Sequence, residues 1–243
     1  MSKVLFIGAN SDIAKATARI YASYGYDLIL AARDVGQLKQ FATDLQIRYN
    51  CQVEVIQLDI LVYDSHAAIY QSIKQQVTGV VVAAGYLGDQ QLAEGDFTQS
   101  NLIINSNFTG IVSLLNIIAN DFEQKKAGFI VAISSVAGER GRKKNYIYGA
   151  AKAGLTAYLS GLRNRLQGKN IGVLTVNPGF VATKMTKHLE LPAKLTAQPQ
   201  QIAQAIYIAQ QKGQDMLYYP KKWKLIMLII KLIPERLFKR LDL

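Results

Sequence analysis

The sequence predicts an α/β protein built on a doubly wound parallel sheet of about seven strands, with an amphipathic helical extension at its C-terminus. Three observations carry this. Apolar runs of strand length alternate with helix-length amphipathic segments up to about residue 220, as expected of parallel strands covered by helices on both faces. A glycine turn, Gly8-Ala-Asn-Ser-Asp-Ile-Ala14, directly follows the first apolar run. The chain of 243 residues has no Pro/Ser-rich linker, low-complexity segment or solenoid repeat, and this length suffices for one large domain. We read residues 1–220 as that domain and 221–243 as the extension.

The first strand is expected at residues 4–7, a run too short for a signal-peptide core. In the turn after it, Gly8 permits a tight backbone, and Asn10, Ser11 and Asp12 can cap a helix at 12–24. The free N–H groups of that helix start, where Ile13 sits, form a natural phosphate site. Asp12 and Ala14 stand where a dinucleotide fingerprint places its second and third glycines, so an ordinary strand-to-helix turn is the alternative. A second strand at 27–31 leads into Ala32-Arg33-Asp34. In a doubly wound sheet this place meets the adenosine ribose, and an arginine there suits a 2′-phosphate. Arg33 therefore favours NADP(H) over NAD(H), with a solvated loop arginine as the alternative. A helix at 37–49 precedes the strand Val53–Gln57. Asp59 then either accepts a hydrogen bond from an adenine amino group or caps the next helix, expected at 65–75. The fourth strand, 80–83, ends in Ala84-Gly85, small residues that let a nicotinamide ribose approach the backbone or that serve close packing alone. A long helix at 101–122, a strand at 129–133, the helix Tyr146–Leu166, a strand at 172–176, a helix at 199–210 and a short strand Met216–Tyr219 complete the domain.

Tyr148 and Lys152 lie four apart on one of these helices, so they share a face. A phenol has an unperturbed pKa of about 10, and a nearby ammonium pulls it down. That makes a tyrosine a usable general acid or base. Tyr70/Lys74 and Tyr218/Lys222 have the same spacing, so the argument rests on the company the pair keeps: Ser135 at the end of a strand-like run, and the glycine turn.

With Gly8, Arg33, Asp59, Gly85, Asn107, Ser135, Tyr148, Lys152 and Asn177-Pro178-Gly179 in order, residues 1–220 resemble the short-chain dehydrogenase/reductase family, which has a Rossmann-type fold. The resemblance implies a catalytic tetrad. Tyr148 would be the general acid, Lys152 would lower its pKa and hold the nicotinamide ribose, Ser135 would polarise the carbonyl, and Asn107 would anchor a water-linked proton relay. Ala84 and Gly85 would lie beside the same ribose. Pro178, Gly179, Val181 and Thr183 match the segment that contacts the carboxamide and pyrophosphate. Asp12, Ala14 and Val82-Ala83 depart from the family pattern around the pyrophosphate, while the catalytic residues follow it. The family also implies a homodimer or homotetramer formed through helices 101–122 and Tyr146–Leu166.

The single Cys51 permits no internal disulfide and fits a reducing, cytoplasmic compartment. With His66 and His188 it lacks the spacing of a zinc site, so no metal is expected. The formal net charge is +11, and from Leu217 onwards seven Lys or Arg face only Glu235 and Asp242, a net of +5. That asymmetry favours an anionic partner, a membrane or a nucleic acid. No nucleic-acid-binding motif occurs elsewhere in the sequence. Between Ser135 and Tyr148, the loop Arg140-Gly-Arg142-Lys143-Lys144 is expected at the substrate mouth, where it suits a phosphate ester or is simply solvated. Residues 184–192 take the place of the family's substrate lid, with His188 on its surface. Residues 222–233 form an apolar helix with Lys224 and Lys231 on one strip, too short to span a bilayer. It is expected to lie peripherally on the cytoplasmic face of a membrane with Trp223 at the headgroups, or else to be buried in an oligomer interface. Segments 84–90 and 178–186 and the Trp-bearing end look like those of decaprenylphosphoryl-2-keto-ribose 2-reductases within the family. That implies a polyprenyl-phosphate-linked 2-keto sugar of the cell wall as substrate and a partner oxidase. A soluble-substrate ketoreductase and a non-catalytic nucleotide-binding regulator are the competing readings.

Overall fold

In the computed structural model, residues 3–187 and 189–241 are described; His188 and the extreme termini lie outside them. The domain runs β1 Lys3–Ile7, α1 Asp12–Ser23, β2 Asp27–Ala32, α2 Gly36–Tyr49, β3 Val53–Gln57, α3 Tyr63–Ile73 and β4 Val77–Val82. It continues with α4 Gln90–Gly95, α5 Phe97–Ile104, α6 Gly110–Lys125, β5 Gly128–Ile133, α7 Tyr146–Leu166, β6 Ile171–Pro178, β7 Phe180–Val181, β8 Thr196–Ala197, α8 Pro199–Gln211 and β9 Met216–Tyr219. The extension forms α9 Lys222–Leu232 and α10 Glu235–Phe238.

Seven strands make one parallel sheet in the order β3-β2-β1-β4-β5-β6-β9, and β7 pairs with β8 apart from it. Because successive strand residues point to opposite faces, the apolar strands feed two cores. Val4, Phe6, Leu28, Leu30, Val81, Val131 and Leu174 pack under α1, α2 and α8. Leu5, Ile7, Ile29, Val80, Val82, Ile130 and Val173 pack under α3, α6 and α7. Strand order reverses between β1 and β4, and in such sheets ligands bind at that switch point, beyond the carboxyl ends of the strands.

Several bounds differ from expectation, and two of the differences have a visible cause. Strand β4 begins at Val77, not residue 80, because pairing with β1 holds Thr78 and Gly79 in the strand across a register shift. The expected helix at 101–122 is one continuous run from Phe97 to Lys125 that contains a π-helical turn, Asn105–Thr109. By length and composition this run could cross a membrane. In the fold, Ile111, Leu114, Leu115, Ile118 and Phe122 are buried against the sheet, so its apolar character belongs to the core.

Candidate active site

A cavity of about 590 Å³ opens at the switch point. Its wall includes Gly8, Asn10, Ser11, Asp12 and Ile13 from the first turn, Arg33 after β2, Asp59 after β3, Ala84 and Gly85 after β4, Ser135, Tyr148 and Lys152 from β5 and α7, and Pro178, Gly179, Val181 and Thr183 after β6. Every predicted site residue except Asn107 thus lines one space. Lys184, Met185 and Thr186 close it from the lid side. Gly8 adopts φ +77°, and a Cβ there would come within 2.5 Å of the Ala84 backbone nitrogen, so the β1 turn and the end of β4 meet with no room for a side chain.

At the centre, Lys152 is 3% exposed and its ammonium donates to the Ile133 carbonyl at 2.9 Å. It lies 5.7 Å from the centroid of the Tyr148 ring. Burial alone lowers the Lys152 pKa to about 7. Burial also pushes the Tyr148 phenol up to about 12, opposed by its hydrogen bond with the Ser135 hydroxyl. The depressed phenol expected from sequence is therefore corrected: both groups share a desolvated pocket, and desolvation penalises phenolate and ammonium alike. The Ser135 oxygen also accepts from the Ala137 amide at 3.1 Å, which holds the strand-end turn. Ser134, which sequence reasoning passed over, bonds the Lys152 carbonyl at 3.0 Å and the Thr156 hydroxyl at 2.7 Å. It pins α7 to the end of β5, and only its place beside Ser135 could have marked it.

Asn107 stands behind the wall, in the π turn and fully buried. Its amide donates to the Ile103 carbonyl at 2.8 Å and the Tyr86 carbonyl at 2.6 Å, and its oxygen accepts from the Tyr86 amide at 3.3 Å. One bond satisfies its own helical turn; the other two fix Tyr86, a cavity residue not foreseen. Such π turns open a helix locally and concentrate at functional sites.

Four further expectations are corrected. None of Asn10, Ser11 and Asp12 caps α1 with its side chain. Asn10 donates instead to the Asp34 carbonyl at 2.6 Å, and Asp12 accepts from the Lys184 amide at 2.7 Å, so two of the three tie neighbouring loops to the cavity rim. Asp59 does not cap α3, which starts behind Val62; its carboxylate accepts from the Leu61 amide at 3.0 Å and closes a turn on the cavity wall. Arg140 and Arg142 do not face the mouth. The Arg140 guanidinium reaches the carbonyls of Ile230 and Ile233 at the end of α9, pairs with Glu235 at 2.9 Å and stacks 3.7 Å from the Phe238 centroid. Arg142 is directed at the Met227 sulfur at 3.2 Å. Unpaired helix-end carbonyls attract a guanidinium more strongly than open solvent does. Finally, Trp223 is 4% exposed. It packs on Phe180 and donates to the Leu195 carbonyl at 3.3 Å, so it anchors α9 to the domain and is not at a headgroup level. A Cβ at Gly179 would come within 1.9 Å of its indole nitrogen; glycine is there to admit the ring.

A parallel sheet wound on both faces, with a cavity at its switch point, defines a Rossmann-type nucleotide-binding protein. Residues 2–193 match the short chain dehydrogenase family. The chain is 32% identical over 241 residues to an uncharacterized oxidoreductase of Mycobacterium tuberculosis, covering 98% of this chain and 96% of that one. It is equally identical to an uncharacterized oxidoreductase of Streptomyces coelicolor, covering 98% and 95%. A short-chain dehydrogenase from Sphingobium yanoikuyae, solved in complex with NADPH, superposes with a TM-score of 0.84 at 24% identity over 97% of each chain. This protein belongs to the short-chain dehydrogenase family.

Proposed function

We propose that residues 1–220 form an NADP(H)-dependent reductase of ketones and that residues 221–243 attach it to the surface where its substrate is held. The observation that carries the reading is the meeting of Ser135, Tyr148 and Lys152 in one cavity whose other end is the uncapped start of α1. The cavity fits a dinucleotide. The first-turn N–H groups of α1 receive no side-chain cap, the buried Asn10 oxygen Oδ1 has no partner among the described residues, and Arg33 is exposed at the rim without an ion pair among the described residues. Gly8, Asn10, Ser11, Asp12 and Ile13 would hold the pyrophosphate, Arg33 a 2′-phosphate, Asp59 the adenine, and Ala84, Gly85, Pro178, Gly179, Val181 and Thr183 the nicotinamide end. The cofactor, when bound, supplies the hydride.

Everything else falls to the chain. The Ser135 hydroxyl donates to the substrate carbonyl and stabilises the charge that develops on its oxygen. Tyr148 delivers its proton to that oxygen, which its raised pKa keeps in place at neutral pH. Lys152 would hold the ribose and replenish Tyr148, and Asn107, held by its bonds to Tyr86 and Ile103, would anchor the water-linked relay beside Lys152.

For substrate, we infer a keto sugar linked to a polyprenyl phosphate, reduced on the cytoplasmic face of a membrane downstream of a partner oxidase, by a homo-oligomer of this chain. Support comes from the basic, apolar C-terminus and from Lys184 at the cavity rim. The commitment of Arg140 and Arg142 to α9 favours a second reading, a water-soluble ketone, because it removes two cations from the expected mouth. Rates of NADPH oxidation with a polyprenyl-phosphoryl 2-keto-pentose in detergent, set against a panel of soluble ketones, decide between them. Preference for the lipid-linked ketone is the expected result. Turnover of soluble ketones alone would transfer the function to the second reading.

A further inference from the structure

The inner side of α9 is consumed by the fold: Trp223 and Met227 are buried. Its outer side is not. Leu225, Leu228, Ile229 and Leu232 are 61%, 52%, 56% and 73% exposed. At about 100° per residue these four occupy one narrow stripe, with Lys224 and Lys231 along one border, Lys231 being paired with Glu139 at 2.9 Å, and Lys222 along the other. Exposed Leu237 and Leu241 extend the apolar surface past α9, among exposed Arg236, Lys239 and Arg240. A contiguous apolar patch with a cationic rim marks an interaction surface.

We propose that this face docks on an anionic lipid bilayer, the leucines and isoleucine entering the acyl boundary and Lys224, Arg236, Lys239 and Arg240 meeting the headgroups. The proposal rests on the lipid-linked-substrate reading for its purpose and on α9 alone for its chemistry. Charge complementarity selects the occupant. Two copies meeting through this same face would bring like-charged rims together, and Glu235, the one acidic residue in this segment among the described residues, is already held by Arg140. An anionic bilayer supplies both the opposite charge and an apolar layer. The inner side of α9 is tied to the segment that follows the lid. Trp223 and Lys222 bond the Leu195 and Lys194 carbonyls beyond the lid, where Met185, on the cavity wall, and Leu189 are exposed.

Vesicle flotation of the full chain tests this, comparing pure phosphatidylcholine with phosphatidylcholine/phosphatidylglycerol vesicles and the wild type with a Leu228→Glu/Ile229→Glu double variant. Both positions are exposed, and thermal melting and size-exclusion profiles check that the variant folds. The wild type is expected to float only with the anionic vesicles and to lose binding as salt rises, and the variant to bind at least about tenfold more weakly. Equal flotation of the variant would overturn the proposal. So would a wild-type oligomer that ignores vesicles and dissociates on the double substitution, which would assign the face to a second copy. NADPH-dependent turnover of the polyprenyl-phosphoryl 2-keto-pentose and of the soluble ketone panel, measured on the same preparations, tests the reductase reading separately: vesicle binding without turnover of any of them leaves the docking surface standing and removes that reading.

Discussion

Burial opposes charge on both members of the Tyr148/Lys152 pair, and this has a measurable cost at the level of single residues. Lys152 carries a pKa of about 7 in the fold against about 10.4 in an unfolded chain. Between those values the unfolded state binds the extra proton, so this residue makes stability rise with pH, at up to about 1.4 kcal/mol per unit. Below about pH 7 both states are protonated and the penalty is complete. Lys152→Met is therefore expected to melt higher than the wild type at pH 6, with the difference vanishing near pH 10, as read by chemical denaturation across that range. A difference independent of pH would show that Lys152 is not desolvated as described. Arg33 yields a second test. Loss of a charge-assisted bond to a phosphate costs about 1.5–3 kcal/mol, so Arg33→Ala should weaken NADPH binding roughly tenfold to a hundredfold and leave NADH binding nearly unchanged, measured by titrating nicotinamide fluorescence. These residues were legible in the sequence because their types and spacing announce their chemistry. The direction of the phenol's shift was not, since it depends on how much water the folded pocket excludes.

Elements that hold the site were read less completely than the residues that fill it. The strands Val53–Gln57 and Met216–Tyr219 and the helix Tyr146–Leu166 have the expected bounds, because each is a single apolar pattern bounded by turn residues. The π turn around Asn107 was invisible: one extra residue in a helix leaves no periodic trace in a segment apolar on most sides. Arg140 and Arg142 were misplaced for a related reason, as a cation's partner 90 residues away cannot be read from local charge. Their true role makes α9 a brace for the site. Trp223 fills the space over Gly179, and Arg140 holds the end of α9. Trp223→Ala should thus lower stability by about 3–5 kcal/mol, seen as a reduced denaturation midpoint. Arg140→Gln, which strands the helix-end carbonyls and Glu235, should lower kcat more than it raises KM, because Ser135 and Tyr148 flank the loop it anchors. A change confined to stability, with kcat intact, would leave α9 as packing alone.

At the scale of the whole molecule, alternation of apolar strands with amphipathic helices was enough to specify a parallel sheet with two covered faces, and the site follows because strand order reverses where β1 meets β4. The two faces of the C-terminal helix were beyond that kind of reading. Composition shows a basic, apolar segment, but only the fold shows that Trp223 and Met227 turn inward while Leu225, Leu228, Ile229 and Leu232 remain outside. Cavity, brace and outer face all serve one claim, that Tyr148 protonates a ketone reduced by NADPH. Single-turnover NADPH oxidation, with cofactor saturation verified by fluorescence, measures it directly in the wild type and Tyr148→Phe. The phenylalanine keeps the ring and its packing and removes only the proton. NADPH affinity within about twofold of wild type, with the oxidation rate lowered by about 10²–10⁴, is the expected result; an unchanged rate at full cofactor occupancy would contradict the assignment.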